Sequence, residues 1–72
     1  MEEKLLEIIH ELAGLEGDEE PELSQKVEDI LDEIGLDEFS VALEDEYGVI
    51  IDPYDMEGKS IADLCGMIRE AQ

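Results

Sequence analysis

Apolar residues recur along EEKLLEIIHELA, residues 2–13, at Leu5, Ile8, Ile9 and Leu12. That is the i, i+3, i+4, i+7 spacing of one helix face. Gly14 then offers a left-handed cap, with Leu15 behind it as a hydrophobic contact. The next segment, EGDEEPEL (residues 16–23), is acidic, interrupted by Pro21, and reads as a surface loop. Two stripes then overlap. Val27, Ile30, Leu31 and Ile34 have helical spacing and meet a stop at Gly35, whereas Leu36, Phe39, Leu43 and Tyr47 share a face that ends at Gly48. One straight helix cannot bury both. Either a helix ends at Gly35, or residues 24–31 form a loop whose apolar side chains plug the core.

The last third is less ambiguous. Val49–Ile51 is too short and isolated to imply a sheet, since nothing else alternates with period two. In DPYD (residues 52–55), Asp52 is an N-cap and Pro53 the first helical residue, and Gly58 limits the element to a short turn. SIAD (residues 60–63) starts a final helix with a capping-box pattern, followed by the stripe Ile61, Leu64, Cys65 and Ile68. These patterns predict an all-α chain: two substantial outer helices, an acidic central helix and a short third one.

Composition changes that picture in one respect. With 72 residues the chain is expected to be a single domain, 1–72, near the lower size limit for a core without staples. Its 23 Asp/Glu against four Lys/Arg give a formal net charge of −19. Such a surface repels nucleic acid and anionic membranes and steers toward basic patches on other proteins. Disorder is disfavoured, because 43% of the residues are hydrophobic and periodically placed. A single cysteine excludes an intramolecular disulfide, and no Cys/His cluster suggests zinc. The glutamate-rich start is unlike a signal peptide, and no apolar run approaches a membrane span, so a reducing cytoplasm is the simplest assignment.

Little enzymatic chemistry is in view. His10 sits among glutamates as a surface or boundary residue, and Cys65 lies on an apolar stripe with no cation nearby to favour its thiolate. Carboxylates are too numerous to single out an acid/base pair. Residues 52–63 lack the ligand spacing of a calcium loop and carry Pro53 among the would-be ligands. The residues describe a small acidic helical module that binds something and is not an enzyme.

Residues 27–53, VEDILDEIGLDEFSVALEDEYGVIIDP, resemble the acyl carrier proteins and the D-alanyl and peptidyl carrier domains. The family pattern has Asp-Ser-Leu or Asp-Ser-Met at the start of the second helix and Leu-Glu-x-x-Phe/Tyr at its close. Here Leu43, Glu44 and Tyr47 match the close, Glu38 and Phe39 match the acid and apolar pair, and Val49–Asp52 match the exit. Counting back from Tyr47 lands on Asp32, Glu33 and Ile34. The resemblance implies a small four-helix bundle, three main helices plus one short one. Asp32 would be the N-cap of the second helix, and Val27, Ile30 and Leu31 would plug the core. Asp32, Ile34, Asp37, Glu38, Glu44 and Asp45 would meet basic surfaces of partner enzymes in an acyl or aminoacyl thioester pathway.

Glu33 stands where the family has the serine that carries 4′-phosphopantetheine. A carboxylate cannot form that phosphodiester, although the first helical turn tolerates its charge well. Ser24, Ser40 and Ser60 lack the flanking pattern, so no attached cofactor and no metal are expected. The implied protein is a monomeric docking module. Two other readings stay open: a working carrier whose serine has been substituted, and an unrelated acidic interaction module.

Whichever reading holds, like charges crowd a small body. The melting temperature should therefore rise between about 10 mM and 300 mM sodium chloride as repulsion is screened. A fall over that interval would show that attractive pairs dominate.

Overall fold

In a computed structural model describing all 72 residues, the chain is all-α. Helix α1 spans Glu2–Ala13, a single turn α2 spans Val27–Ile30, α3 spans Glu33–Tyr47 and α4 spans Ile61–Ala71. A 3-10 turn, Pro53–Met56, lies between α3 and α4. Helix α1 packs against both α3 and α4, and 13 buried apolar side chains form one cluster among them. The result is a small helical bundle.

The outer helices follow their stripes. Leu5 and Ile9 of α1 are fully buried, with Ile8 and Leu12 packed partly against them. Gly14 ends α1 in the left-handed region at φ 65°, and the Leu15 N–H reaches back to the His10 carbonyl at 3.1 Å. At the other end of the chain, Ile61, Leu64, Cys65 and Ile68 of α4 are buried. Its capping box is complete: Asp63 N–H donates to Ser60 Oγ at 3.1 Å, and Ser60 N–H donates to Asp63 Oδ2 at 3.0 Å. Those bonds from Ser60 hold the Asp63 carboxyl below its ordinary range. Arg69 Nη2 then ties α4 to α1 through both oxygens of the Glu2 carboxylate, at 2.7 Å each.

Residues 24–35 combine the two alternatives. Val27–Ile30 makes one helical turn, and Leu31 (φ −109°, ψ 137°) and Asp32 (φ −79°, ψ −177°) are extended. A helix running on to Gly35 is therefore not what forms. The Asp32 carboxylate accepts the Gly35 N–H at 2.7 Å, and that cap starts α3 at Glu33. Val27 and Leu31 plug the core, Ile30 is half-buried, and Ile34, the fourth member of that stripe, points to solvent at 69% exposure. Long-range bonds hold the short turn in place. Val27 N–H donates to the Lys59 carbonyl (3.1 Å), Ile61 N–H to the Gln25 carbonyl (3.0 Å), and Gly58 N–H to Glu28 Oε1 (2.7 Å).

One detail corrects the sequence expectation. Pro21 is buried and Leu23 packs partly against the core, although the acidic residues of their loop are exposed. The proline ring brings no N–H that would need a partner inside. The short third helix is a 3-10 turn, capped by Asp52, whose carboxylate accepts the Tyr54 N–H at 3.1 Å. Between α3 and that turn no strand forms. Val49 and Ile51 are buried, and Ser40 Oγ donates to the Ile51 carbonyl at 2.6 Å, which lays the exit segment back along α3. Tyr47, at the end of α3, encloses its hydroxyl without a protein hydrogen-bond partner, and desolvation pushes its pKa up.

Gly35 is close-packed. A Cβ there would meet Leu31 Cβ at 3.2 Å, and Asp32 Oδ1 and Leu31 Cδ2 at 3.3 Å. Leu31 is buried and Asp32 Oδ1 is held by the cap, so neither can yield freely. At Gly66 in α4 the same atom would meet nothing within 4 Å. The two alanine substitutions should therefore have opposite signs in urea denaturation. Gly66→Ala should stabilise by up to about 1 kcal/mol through helix propensity. Gly35→Ala should destabilise by about 1 kcal/mol through overpacking. A stabilising Gly35→Ala would mean that the turn above it is loose.

Candidate partner-docking site

The cap at Asp32 fixes the rotation of α3. With the helix begun at Glu33, Gly35, Phe39 and Leu43 face the core, and Leu36 and Tyr47 are partly buried beside them. The opposite face turns outward. Ile34 and Val41 lie along it seven residues, about two turns, apart, and are 69% and 60% exposed. Asp37 and Glu44 run at the same spacing along one flank, and Glu38 and Asp45 along the other; all four are exposed. The face is thus an apolar pair between two rows of carboxylates.

Nothing in the protein neutralises those rows. The ion pairs in the structure all involve Glu2, one with Arg69 and a longer one with the N-terminal amine. Exposed carboxylates without partners leave a continuous negative field over the outward face. Glu33 is exposed in the first turn of α3, where the amide end of the helix dipole favours its charge. Asp32 differs from the acids of the two rows. It is exposed, but its carboxylate is committed to the Gly35 N–H.

Of the other residues with chemical potential, none joins this face. Cys65 is buried, and desolvation first of all pushes its thiol pKa up, which opposes nucleophilic use. His10 Nε2 donates to the Glu16 carbonyl at 2.7 Å and pins the acidic loop to the end of α1. Ser40 and Ser60 are engaged, one donating to Ile51 and the other capping α4, whereas Ser24 is exposed and lies in the segment before the Val27–Ile30 turn, outside α3. No three His, Cys, Asp or Glu side chains are placed to hold a metal ion. No helix is long and apolar enough to cross a membrane.

Sequence periodicity had placed Ile34 in a core stripe and passed over Val41. An apolar residue off the Leu36–Phe39–Leu43–Tyr47 stripe was the available signal for an exposed position. Ile50 and Tyr54, exposed at 78% and 82% on the returning segment, were likewise not singled out. Compared with known proteins, the chain matches no family model, no curated protein and no solved structure.

With a carboxylate at position 33, and with two of the three serine hydroxyls used in structural bonds, a phosphopantetheinyl transferase has no hydroxyl to modify at the head of α3. Incubation with coenzyme A and a promiscuous transferase should leave the intact mass unchanged. A gain of one phosphopantetheine arm would overturn this and direct attention to Ser24.

Proposed function

We propose that the protein is an acyl carrier protein-like docking module that carries no prosthetic group. It binds partner enzymes of an acyl or aminoacyl thioester pathway through the outward face of α3. The observation that carries this reading is the arrangement of that face, with Ile34 and Val41 exposed between the carboxylate rows Asp37/Glu44 and Glu38/Asp45. A basic groove with an apolar floor complements it in both respects. Opposite charge accelerates encounter, and the apolar pair supplies desolvated area once contact is made. The element order and the capped start of α3 agree with the carrier-like register. Glu33 occupies the head of the helix without an attachment hydroxyl, so the role left to the fold is recognition.

The test begins with capture of partners from the native extract. Replacing Asp37, Glu38, Glu44 and Asp45 with Asn or Gln should slow association at least about tenfold and flatten its salt dependence. Replacing Ile34 and Val41 with Ser should raise the dissociation rate instead, with the fold intact by circular dichroism. Neutralising Asp18, Glu19 and Glu20 in the loop should change either rate by less than about twofold. If the loop variant were the one to lose binding, the acidic loop would be the recognition element and the carrier-like reading would fall.

A further inference from the structure

Helix α4 is capped by chain that is distant in sequence. The first N–H groups of a helix have no partner within it, and in α4 two of them are met by carbonyls of the segment before the Val27–Ile30 turn. Ile61 N–H donates to the Gln25 carbonyl (3.0 Å) and Ala62 N–H to the Leu23 carbonyl (2.9 Å). The bonding also runs the other way. Val27 N–H donates to the Lys59 carbonyl (3.1 Å), and Lys26 and Ser60 face one another in an isolated antiparallel bridge. One side chain joins in: Glu28 Oε1 accepts the Gly58 N–H at 2.7 Å. Gly58 makes its turn in the left-handed region, at φ 72°, which a glycine adopts without strain. Neither segment is self-sufficient. A four-residue helix is far too short to hold itself, and residues 57–60 belong to no helix.

We propose that residues 23–31 and 57–62 form a clip that opens as one unit while α1, the body of α3 and the rest of α4 stay packed. Each segment supplies acceptors for the other's donors, so releasing either one breaks the bonds of both. The remaining helices have support of their own. Helix α1 packs against both α3 and α4, with Leu5, Ile9, Phe39, Leu43, Leu64 and Ile68 fully buried. Opening lifts Val27 and Leu31 off that core. Leu31 lies over Gly35, and Asp32 caps α3 directly after it, so the head of α3 loosens in the same event. The clip therefore couples the starts of α3 and α4, about thirty residues apart in sequence. The device does not require the docking reading. Where that reading holds, the clip decides whether Ile34 is presented on an ordered first turn.

Native-state hydrogen exchange of the ¹⁵N-labelled full chain, at urea concentrations below the unfolding transition, reads the opening directly. The amides of Val27, Leu31, Ile61 and Ala62 should share one opening free energy and one urea dependence, both smaller than those of Ile9 and Leu43. Two glycine substitutions then separate the clip from the whole fold. Gly58→Ala and Gly14→Ala each place a Cβ at a positive φ, 72° and 65°, with no neighbouring atom within 4 Å. Their backbone strain is therefore matched. Gly58→Ala should speed exchange at all four clip amides by about five- to thirtyfold, including Val27 and Leu31 on the far side of the clip. Gly14→Ala strains the end of α1 instead and should leave the four clip amides within about twofold of their original rates. A urea dependence at the clip amides equal to that of Ile9 and Leu43 would mean that only the whole fold opens. Acceleration by Gly58→Ala that is absent, or confined to Ile61 and Ala62, would mean that the two segments open independently. Either result would overturn the clip, and neither bears on partner capture through Ile34 and Val41.

Discussion

One hydrogen bond, from the Gly35 N–H to the Asp32 carboxylate, decides what the rest of the chain presents. It stops the helical turn begun at Val27 from running into α3 and restarts the helix at Glu33. Leu31, just before the cap, is extended and drops into the core, with Leu36 four residues into the helix in the matching staple position. The absent Cβ at Gly35 lets the restart tuck beneath Leu31. Without the break, Ile34 would continue the stripe of Val27, Ile30 and Leu31 into the interior. With it, Ile34 and Val41 become surface, and a helix with one core stripe acquires a second, outward apolar line between acids.

The charge balance works in the same direction. Four basic residues serve 23 acids, and only Arg69 links one helix to another. The fold holds together through its 13-residue apolar cluster and its helix caps rather than through ion pairs. Exposed pairs contribute little to stability in any case. Leaving the α3 carboxylates unpaired therefore sacrifices little and keeps their field available to an oppositely charged surface.

Much of the fold was legible because its signals are local. Gly14, the Asp52–Pro53 start and the Ser60–Asp63 box each act within a few residues, and periodicity alone located the buried sides of α1 and α4. The Val27–Ile30 turn was not legible from periodicity, because the bonds that hold it come from Gly58, Lys59 and Ile61, about thirty residues away in sequence. Its apolar spacing fitted a longer helix equally well, and the carrier-like register, which places Asp32 as a cap, was needed to choose the break. On the outward side of α3, the acids Asp37, Glu38, Glu44 and Asp45 were visible as a charged face. Val41 and Tyr54 were not, since the exposure of a single apolar residue depends on which neighbours the tertiary fold brings near.

The most direct measurement is the set of backbone carbon-13 secondary shifts across residues 27–36 of the protein in solution. Helical values from Val27 to Ile30, extended values at Leu31 and Asp32, and helical values resuming at Glu33 are the expected result. An unbroken run of helical shifts through Leu31 and Asp32 would contradict a capped start to α3. It would return Ile34 to the core stripe and remove the outward face on which the proposed recognition depends.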